Sequence, residues 1–224
     1  MTVTIHQPDF MPWLGFFDRW RASGLYVVLD DVQFLRRGWH HRDRIKTAAG
    51  AAWLTVPVLN KGRFEQEIRE AVLAEGPWRR RHLAAIRAAY ARAPRFSRVF
   101  PLLEEVYGRN HDRLLELNLD LLHLFAQLLG ITTPVVLASS SAVQTEGTQR
   151  LVQLCTAHGA RTYLTGTGSR AYLDEALFRA QGVRVEWQSF TPPCYPQLHG
   201  EFVPNLSALD YLMMDSRPLQ ALGL

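Results

Sequence analysis

Two short apolar segments near the start of the chain each end in side chains that can ionise or donate hydrogen bonds. The first segment ends in His6 and Gln7, and the second ends in the pair Asp30 and Asp31. In open α/β sheets, ligands bind just beyond the carboxyl ends of the strands. If both segments are strands of one parallel sheet, these four side chains mark a binding or active site.

The chemistry available to these side chains is proton transfer and ligand orientation. A histidine just past a buried strand can act as a general base or hold a phosphate, or it can cap a turn and face the core. Adjacent carboxylates on an extended chain point in different directions, so they could orient an amine, bind Mg²⁺ or lie solvated in a turn. We predict His6, Asp30 and Asp31 as catalytic residues and Gln7 as a binding residue.

A basic segment with interleaved aromatic residues follows the paired carboxylates. Guanidinium groups match the oxygens of phosphates and carboxylates, and an adjacent aromatic ring can stack on a base or a sugar. The same segment could instead be a solvated edge strand that its charges protect from aggregation. We favour a site for a nucleotide, a carrier phosphate or RNA, formed by Gln33, Trp39, His40, His41, Arg42, Arg44 and Lys46.

Two later segments contain further candidates. A turn with glycines and hydroxyls stands between a predicted strand and a predicted helix, where backbone N–H groups attract an anion. It matches neither the Walker loop nor the dinucleotide fingerprint, and it could be only a flexible turn. A proline-rich tail could cover the site, and its Cys194 is a weak nucleophile candidate without an evident base. The binding residues predicted here are Gly166, Thr167, Ser169, Arg170, Tyr195 and Gln197.

The hydrophobic pattern predicts an α/β fold with a mostly parallel sheet, flanking helices and a central helical insertion at about residues 77–130. The predicted strands cover residues 2–5, 26–29, 135–138, 162–164 and 183–188, and a hairpin covers 45–47 and 51–58. The predicted helices cover residues 13–22, 78–92, 95–107, 110–129, 148–157, 172–180 and 207–214. Residues 68–73 fit a strand or a short helix equally well.

The composition is that of a globular protein with a sizeable core. The 224 residues are 47% hydrophobic and 21% charged, and the net charge of +4 permits an anionic partner without requiring one. The two cysteines form no motif, and we find neither a secretory signal nor an apolar run of membrane-spanning length. We therefore expect a cytoplasmic protein. The histidines form no recognised metal motif, so no metal site is predicted.

Essentially the whole chain, residues 1–224, resembles the WbqC-like protein family as a single domain. The motifs that carry the resemblance lie at residues 5–17, 29–34, 39–46, 53–58, 114–118, 163–166, 172–174, 195–197 and 206–212. The family pattern usually has Asn at the positions of His41 and Asp43, so hydrogen bonding there is expected to differ. Such genes are associated with surface-polysaccharide and natural-product clusters. The resemblance therefore implies acyl or aminoacyl transfer to an amine.

A weaker similarity points to nucleotide chemistry. A strand, a histidine-containing turn, a helix and a late glycine loop are similar to the fold of nucleotidyltransferases with a HIGH-type motif, although His6 lacks the second histidine of that motif. The leading hypothesis is a transferase with His6 as general base, Asp30 or Asp31 orienting the amine, and an activated acyl donor bound by the basic residues. The alternatives are a ligase or nucleotidyltransferase that uses ATP and Mg²⁺, and a non-enzymatic module that binds an anionic carrier or tRNA.

Overall fold

A sheet of five parallel strands forms the centre of the computed structural model, which describes residues 1–222. The strands are β1 (Thr2–His6), β2 (Leu25–Val28), β5 (Val135–Leu137), β6 (Thr162–Thr165) and β7 (Arg184–Trp187). Their order across the sheet is β5-β2-β1-β6-β7, and every neighbouring pair is parallel. The predicted α/β fold with a mostly parallel sheet is confirmed.

The strand order reverses direction between β1 and β6. From β1 the chain adds β2 and then β5 on one side, and it later adds β6 and β7 on the other side. Doubly wound α/β proteins bind ligands in the crevice at such a reversal, outside the carboxyl ends of the strands. The ends of β1 and β6 at His6 and Thr165 therefore border the expected binding crevice.

A separate antiparallel hairpin consists of β3 (Arg42–Thr47) and β4 (Gly50–Thr55). The predicted hairpin is confirmed, but β3 begins earlier than predicted and includes the basic residues Arg42 and Arg44. The ambiguous segment after it contains a short 3₁₀ helix, Ile68–Glu70.

Seven α-helices surround the two sheets within residues 1–222. Those around the parallel sheet are α1 (Leu14–Arg21), α5 (Gly147–Ala157) and α6 (Glu175–Ala180), whereas α7 (Ala208–Met214) packs against β3 of the hairpin. The insertion between the hairpin and β5 contains α2 (Trp78–Tyr90), α3 (Phe96–Gly108) and α4 (Leu114–Leu128). No helix in this part of the chain has the length and apolar character needed to cross a membrane.

The parallel sheet separates two apolar clusters, because successive side chains of a strand point to opposite faces. In β2, Tyr26 and Val28 belong to the larger cluster, which includes residues of the helical insertion. Leu25 and Val27 belong to the smaller cluster, which includes residues of α5 and α6. Both faces of the sheet are therefore covered.

Candidate functional site

His6 lies at the end of β1, beside the reversal in strand order. Its side chain is 36% exposed, and its ring packs edge-on against Phe16 with 5.3 Å between centroids. Nδ1 lies 3.0 Å from the carbonyl oxygen of Gln7. Because a carbonyl only accepts hydrogen bonds, this contact places the proton of the neutral ring on Nδ1 and leaves a lone pair on Nε2.

The environment of His6 favours the neutral imidazole. Burial is the largest cause of its lowered pKa, and the positive charge of Arg19 acts in the same direction. The negative charge of Asp9 and the hydrogen bond to Gln7 oppose this shift without cancelling it. At neutral pH the ring is therefore able to accept a proton.

Asp9 lies between two histidines. Its Oδ2 is 3.7 Å from Nδ1 of His6, and its Oδ1 is 3.5 Å from Nδ1 of His40. His40 is only 2% exposed, and neither of its ring nitrogens has a hydrogen-bond partner within residues 1–222. The carboxylate favours the imidazolium form of His6. We call His6, Asp9 and His40 the histidine cluster.

Asn118 of α4 holds the two loops of the histidine cluster together. Its side-chain nitrogen donates to the carbonyl of Pro8 and to that of His40, each at 2.7 Å. The backbone N–H of Phe10 also donates to the carbonyl of Trp39 at 3.0 Å. The helical insertion therefore positions the site. The available sequence signal was one polar residue within the leucine-rich stripe of α4.

Arg19 of α1 is a buried cation that sequence reasoning missed. It is 6% exposed, and its Nη1 donates to Oε1 of Gln188, just beyond β7, at 3.2 Å. Within residues 1–222, no carboxylate forms an ion pair with it, and burial lowers its pKa. A Cβ at Gly166 would lie 2.7 Å from Nη1, so a larger residue there would displace the guanidinium. Arg19 and Gly166 together offer a site for an anion.

The rest of the glycine turn is held by its own hydroxyls. The hydroxyl of Ser169 donates to the carbonyl of Gly166 at 2.9 Å and lies 3.1 Å from that of Thr165. Thr167 is exposed, and the guanidinium of Arg170 lies 5.0 Å from the ring centroid of Trp187.

Asp30 and Asp31 connect the end of β2 to neighbouring elements through hydrogen bonds and an ion pair. Asp30 is buried, and its two oxygens accept hydrogen bonds from the backbone and the hydroxyl of Ser139, at 3.0 and 2.7 Å. Asp31 forms an ion pair with Arg150 of α5. These contacts give both carboxylates structural partners, and their catalytic roles remain predictions.

The basic segment separates into residues with different surroundings. Gln33 donates to the carbonyl of Phe64 at 2.8 Å, and both ring nitrogens of His41 face backbone carbonyls. Arg42 and Arg44 lie over the ring of Trp53, which Trp39 also contacts. Within the segment, only His40 joins the histidine cluster.

Lys46, Tyr195 and Gln197 belong to a buried polar network. Lys46 is 1% exposed, and its ammonium donates to Oε1 of Gln197 at 3.1 Å and to two backbone carbonyls of the tail. Tyr195 and Gln197 both donate to Oδ2 of Asp210, at 2.9 and 2.7 Å. All three ammonium hydrogens therefore have acceptors. The network connects the tail to the hairpin, and the binding role of Lys46 stays a prediction.

Asp43 is a further residue that the sequence analysis did not select. It is buried, and burial raises its pKa to about 8, with the charge of Asp9 acting in the same direction. Its Oδ1 accepts a hydrogen bond from the backbone N–H of Arg44 at 2.6 Å. The side chain is therefore neutral at pH 7 and lies close enough to Asp9 to be affected by its charge.

Within residues 1–222, no group of three or more His, Cys, Asp or Glu side chains is arranged to hold a metal ion. Cys155 is buried, and Cys194 is exposed.

Two comparisons place the chain among known proteins. A family model described as the WbqC-like protein family matches residues 7–219. The "Uncharacterized protein Rv1507c" of Mycobacterium tuberculosis (strain ATCC 25618 / H37Rv) is 36% identical over 212 residues, which cover 94% of this chain and 92% of that protein. No solved structure matches the chain. Because the family match spans nearly the whole sequence, including Asp9, Arg19 and His40, the chain belongs to the WbqC-like protein family.

Proposed function

We propose that the protein transfers an acyl or aminoacyl group from an activated, anionic donor to an amine on a sugar or small metabolite. The observation that carries this proposal is the environment of the His6 ring. Its ring is partly exposed at the crevice, its pKa is lowered by burial, and Asp9 lies beside Nδ1. These are the properties of a general base that works at neutral pH.

The proposed reaction uses the lone pair on Nε2 of His6. The amine nitrogen attacks the carbonyl carbon of the donor, and Nε2 accepts the proton that this nitrogen loses. The bond between the carbonyl carbon and the leaving group then breaks, and the leaving group departs with the electron pair. Asp9 stabilises the imidazolium formed in this step. His6 keeps the role predicted from the sequence, and Asp9 is an additional carboxylate beside it. The predicted role of Asp30 or Asp31 in orienting the amine stays part of the proposal.

The anionic part of the donor is assigned to Arg19 and the glycine turn. A buried guanidinium without a carboxylate partner gains most from an anion, because an unpaired buried charge is costly. Gly166 lets the backbone approach Arg19 closely. A donor held there would place its reactive carbonyl at the crevice between β1 and β6, where His6 lies.

The experiment offers acyl-CoA, aminoacyl adenylate and aminoacyl-tRNA donors, each with a panel of amino sugars and amines, and detects amides by mass spectrometry. We expect a product that His6→Ala reduces at least about 100-fold without lowering the unfolding temperature. His123→Ala, which changes an exposed histidine of α4, is the matched control. Full turnover by His6→Ala would remove His6 from the mechanism.

A second candidate is an ATP-dependent ligase or nucleotidyltransferase. The strand order favours it, because the reversal between β1 and β6 is where doubly wound folds bind nucleotides. The test is pyrophosphate release from ATP and Mg²⁺ in the presence of carboxylic acids. Release that depends on both the acid and Arg19 would select this reaction over transfer from a preformed donor. Binding of a donor analogue without turnover under any condition would instead support a non-enzymatic module.

A further inference from the structure

The outer face of the hairpin carries two exposed tryptophans beside arginines. Trp39 is 48% exposed and Trp53 is 47% exposed, with 5.5 Å between their ring centroids. Arg44 lies opposite Trp53 in the strand register, and the guanidinium of Arg42 lies 4.5 Å from the centroid of the same ring. We call Trp39, Trp53, Arg42 and Arg44 the tryptophan surface.

The positive charge of the tryptophan surface is not neutralised by the chain itself. Within residues 1–222, no carboxylate forms an ion pair with Arg42 or Arg44, nor with the exposed Arg36 and Arg37 in the preceding loop. Arg42 donates instead to the carbonyl of Arg37 at 2.8 Å. Asp43 lies between the two strand arginines, but its buried side chain is on the opposite face of β3.

This combination matches the chemistry of an unpaired nucleic acid strand. Bases stack on exposed aromatic rings, and arginines nearby contact the phosphates. Two adjacent rings offer stacking positions for successive bases. Both rings are about half exposed on an open hairpin face, whereas sites for single nucleotides and other small ligands are typically concave and enclosed. The geometry points to a single-stranded nucleic acid as the ligand of the tryptophan surface.

The surface is continuous with the histidine cluster. Trp39 immediately precedes His40, and the carbonyl of Trp39 accepts a hydrogen bond from Phe10, one residue after Asp9. A nucleic acid strand bound to the tryptophan surface therefore passes close to the histidine cluster. The inference goes beyond the transfer reaction and does not depend on it, because binding is measured without turnover.

The test measures the binding of fluorescently labelled RNA and DNA oligonucleotides of one sequence, by anisotropy across a range of KCl concentrations. We expect Trp53→Ala to weaken binding about ten-fold or more, because each stacked base contributes strongly. Trp53→Phe keeps a ring and is expected to retain most of the affinity. In Arg42→Gln/Arg44→Gln, the slope of log K against log salt is expected to become shallower by about 1.4, from two lost phosphate contacts.

The matched control is Arg80→Gln/Arg81→Gln, which removes two charges from exposed positions of α2. Circular dichroism checks that every variant is folded. The proposal is wrong if the control weakens binding as much as Arg42→Gln/Arg44→Gln, or if Trp53→Ala binds like the parent protein. Displacement of the strand by ATP at similar concentrations would indicate a mononucleotide site. Equal displacement by poly-glutamate would indicate a surface for an acidic protein, and either result would also overturn the proposal.

Discussion

At the scale of single residues, the candidate site combines one predicted histidine with partners that were not predicted. His6 was selected because it follows a buried strand, and the structure places it beside Asp9 and Arg19. Lys46 was selected for its charge, yet it is buried with three acceptor oxygens. Residue type alone does not distinguish these cases, because the same ammonium can bind a ligand or close an internal network.

The pH dependence of activity tests the role of His6. Its pKa lies below the ordinary value of 6.5 because of burial, so the neutral base predominates at pH 7. We expect kcat/KM to be level above pH 7 and to fall about ten-fold per pH unit below the lowered pKa. In Asp9→Asn, the loss of a charge that raises the pKa should move this decline to lower pH. A decline centred above pH 6.5, or one that does not move in Asp9→Asn, would contradict the assignment.

Substitution of Arg19 tests the proposed anion site. Arg19→Lys keeps a positive charge but loses the planar pair of donors, so we expect the KM of the donor to rise about ten-fold. The KM of the amine should stay within about two-fold, since the amine is not assigned to this site. Steady-state kinetics with each substrate varied in turn separates the two effects. Equal changes in both values would point to a general structural defect instead.

Asp43 provides a prediction about stability. The carboxyl is protonated in the folded protein up to about pH 8 but ionises near 3.8 when unfolded, so the folded state loses stability as pH rises between these values. Asp43→Asn removes this loss. The gain in unfolding free energy over the parent protein should therefore grow with pH, by at most about 1.4 kcal/mol per pH unit. Urea unfolding at pH 5, 7 and 9 measures it.

The control for this prediction is Asp112→Asn, which changes an exposed carboxylate and should leave the pH dependence unchanged. An Asp43→Asn gain that is the same at all three pH values would show that Asp43 is ionised in the folded protein. The family pattern usually has Asn at this position. A neutral Asp43 accepts the Arg44 hydrogen bond as a carboxamide would.

At the scale of elements, the insertion is a part of the site and not an appendage. The central helices were predicted from leucine periodicity, and α4 indeed packs its leucines into the larger cluster. The first residue of α4 differs from the prediction, because the helix begins at Leu114. The side chain of Glu116 accepts hydrogen bonds from the backbone N–H groups of Asp112 and Arg113, which directly precede the helix. Helical periodicity therefore located α4, whereas local capping set its first residue.

Substitution of Asn118 tests whether α4 holds the two loops of the histidine cluster together. Asn118→Leu keeps the approximate size but leaves the carbonyls of Pro8 and His40 without their donor, so we expect a loss of about 1–3 kcal/mol in unfolding free energy. The amide of Phe10, which bonds to Trp39, should exchange its hydrogen faster. Asn110→Leu, at an exposed position just before α4, is the control. Unchanged exchange at Phe10 would show that the loops hold together without α4.

At the scale of the whole molecule, the parallel sheet packs against one apolar cluster on each face. Cys155 of α5 is fully buried in the smaller cluster, and burial raises its pKa to about 12, whereas Cys194 is exposed. We therefore expect one thiol to react promptly with an aromatic disulfide reagent and the other only when the smaller cluster opens. In Cys194→Ser, the labelling rate of Cys155 should increase with urea concentration as steeply as global unfolding does. A labelling rate that does not depend on urea concentration would show that the smaller cluster opens locally.

The sequence by itself determined the order of strands and helices and the position of His6 at the end of a strand. These features follow from hydrophobic periodicity and turn residues, which act within a few positions along the chain. Only the tertiary structure decided which polar residues meet. Asn118 reaches loops 110 and 78 positions away, and Arg19 meets Gln188 across 169 positions. Such pairings depend on how the elements pack together, and no local pattern in the sequence encodes them.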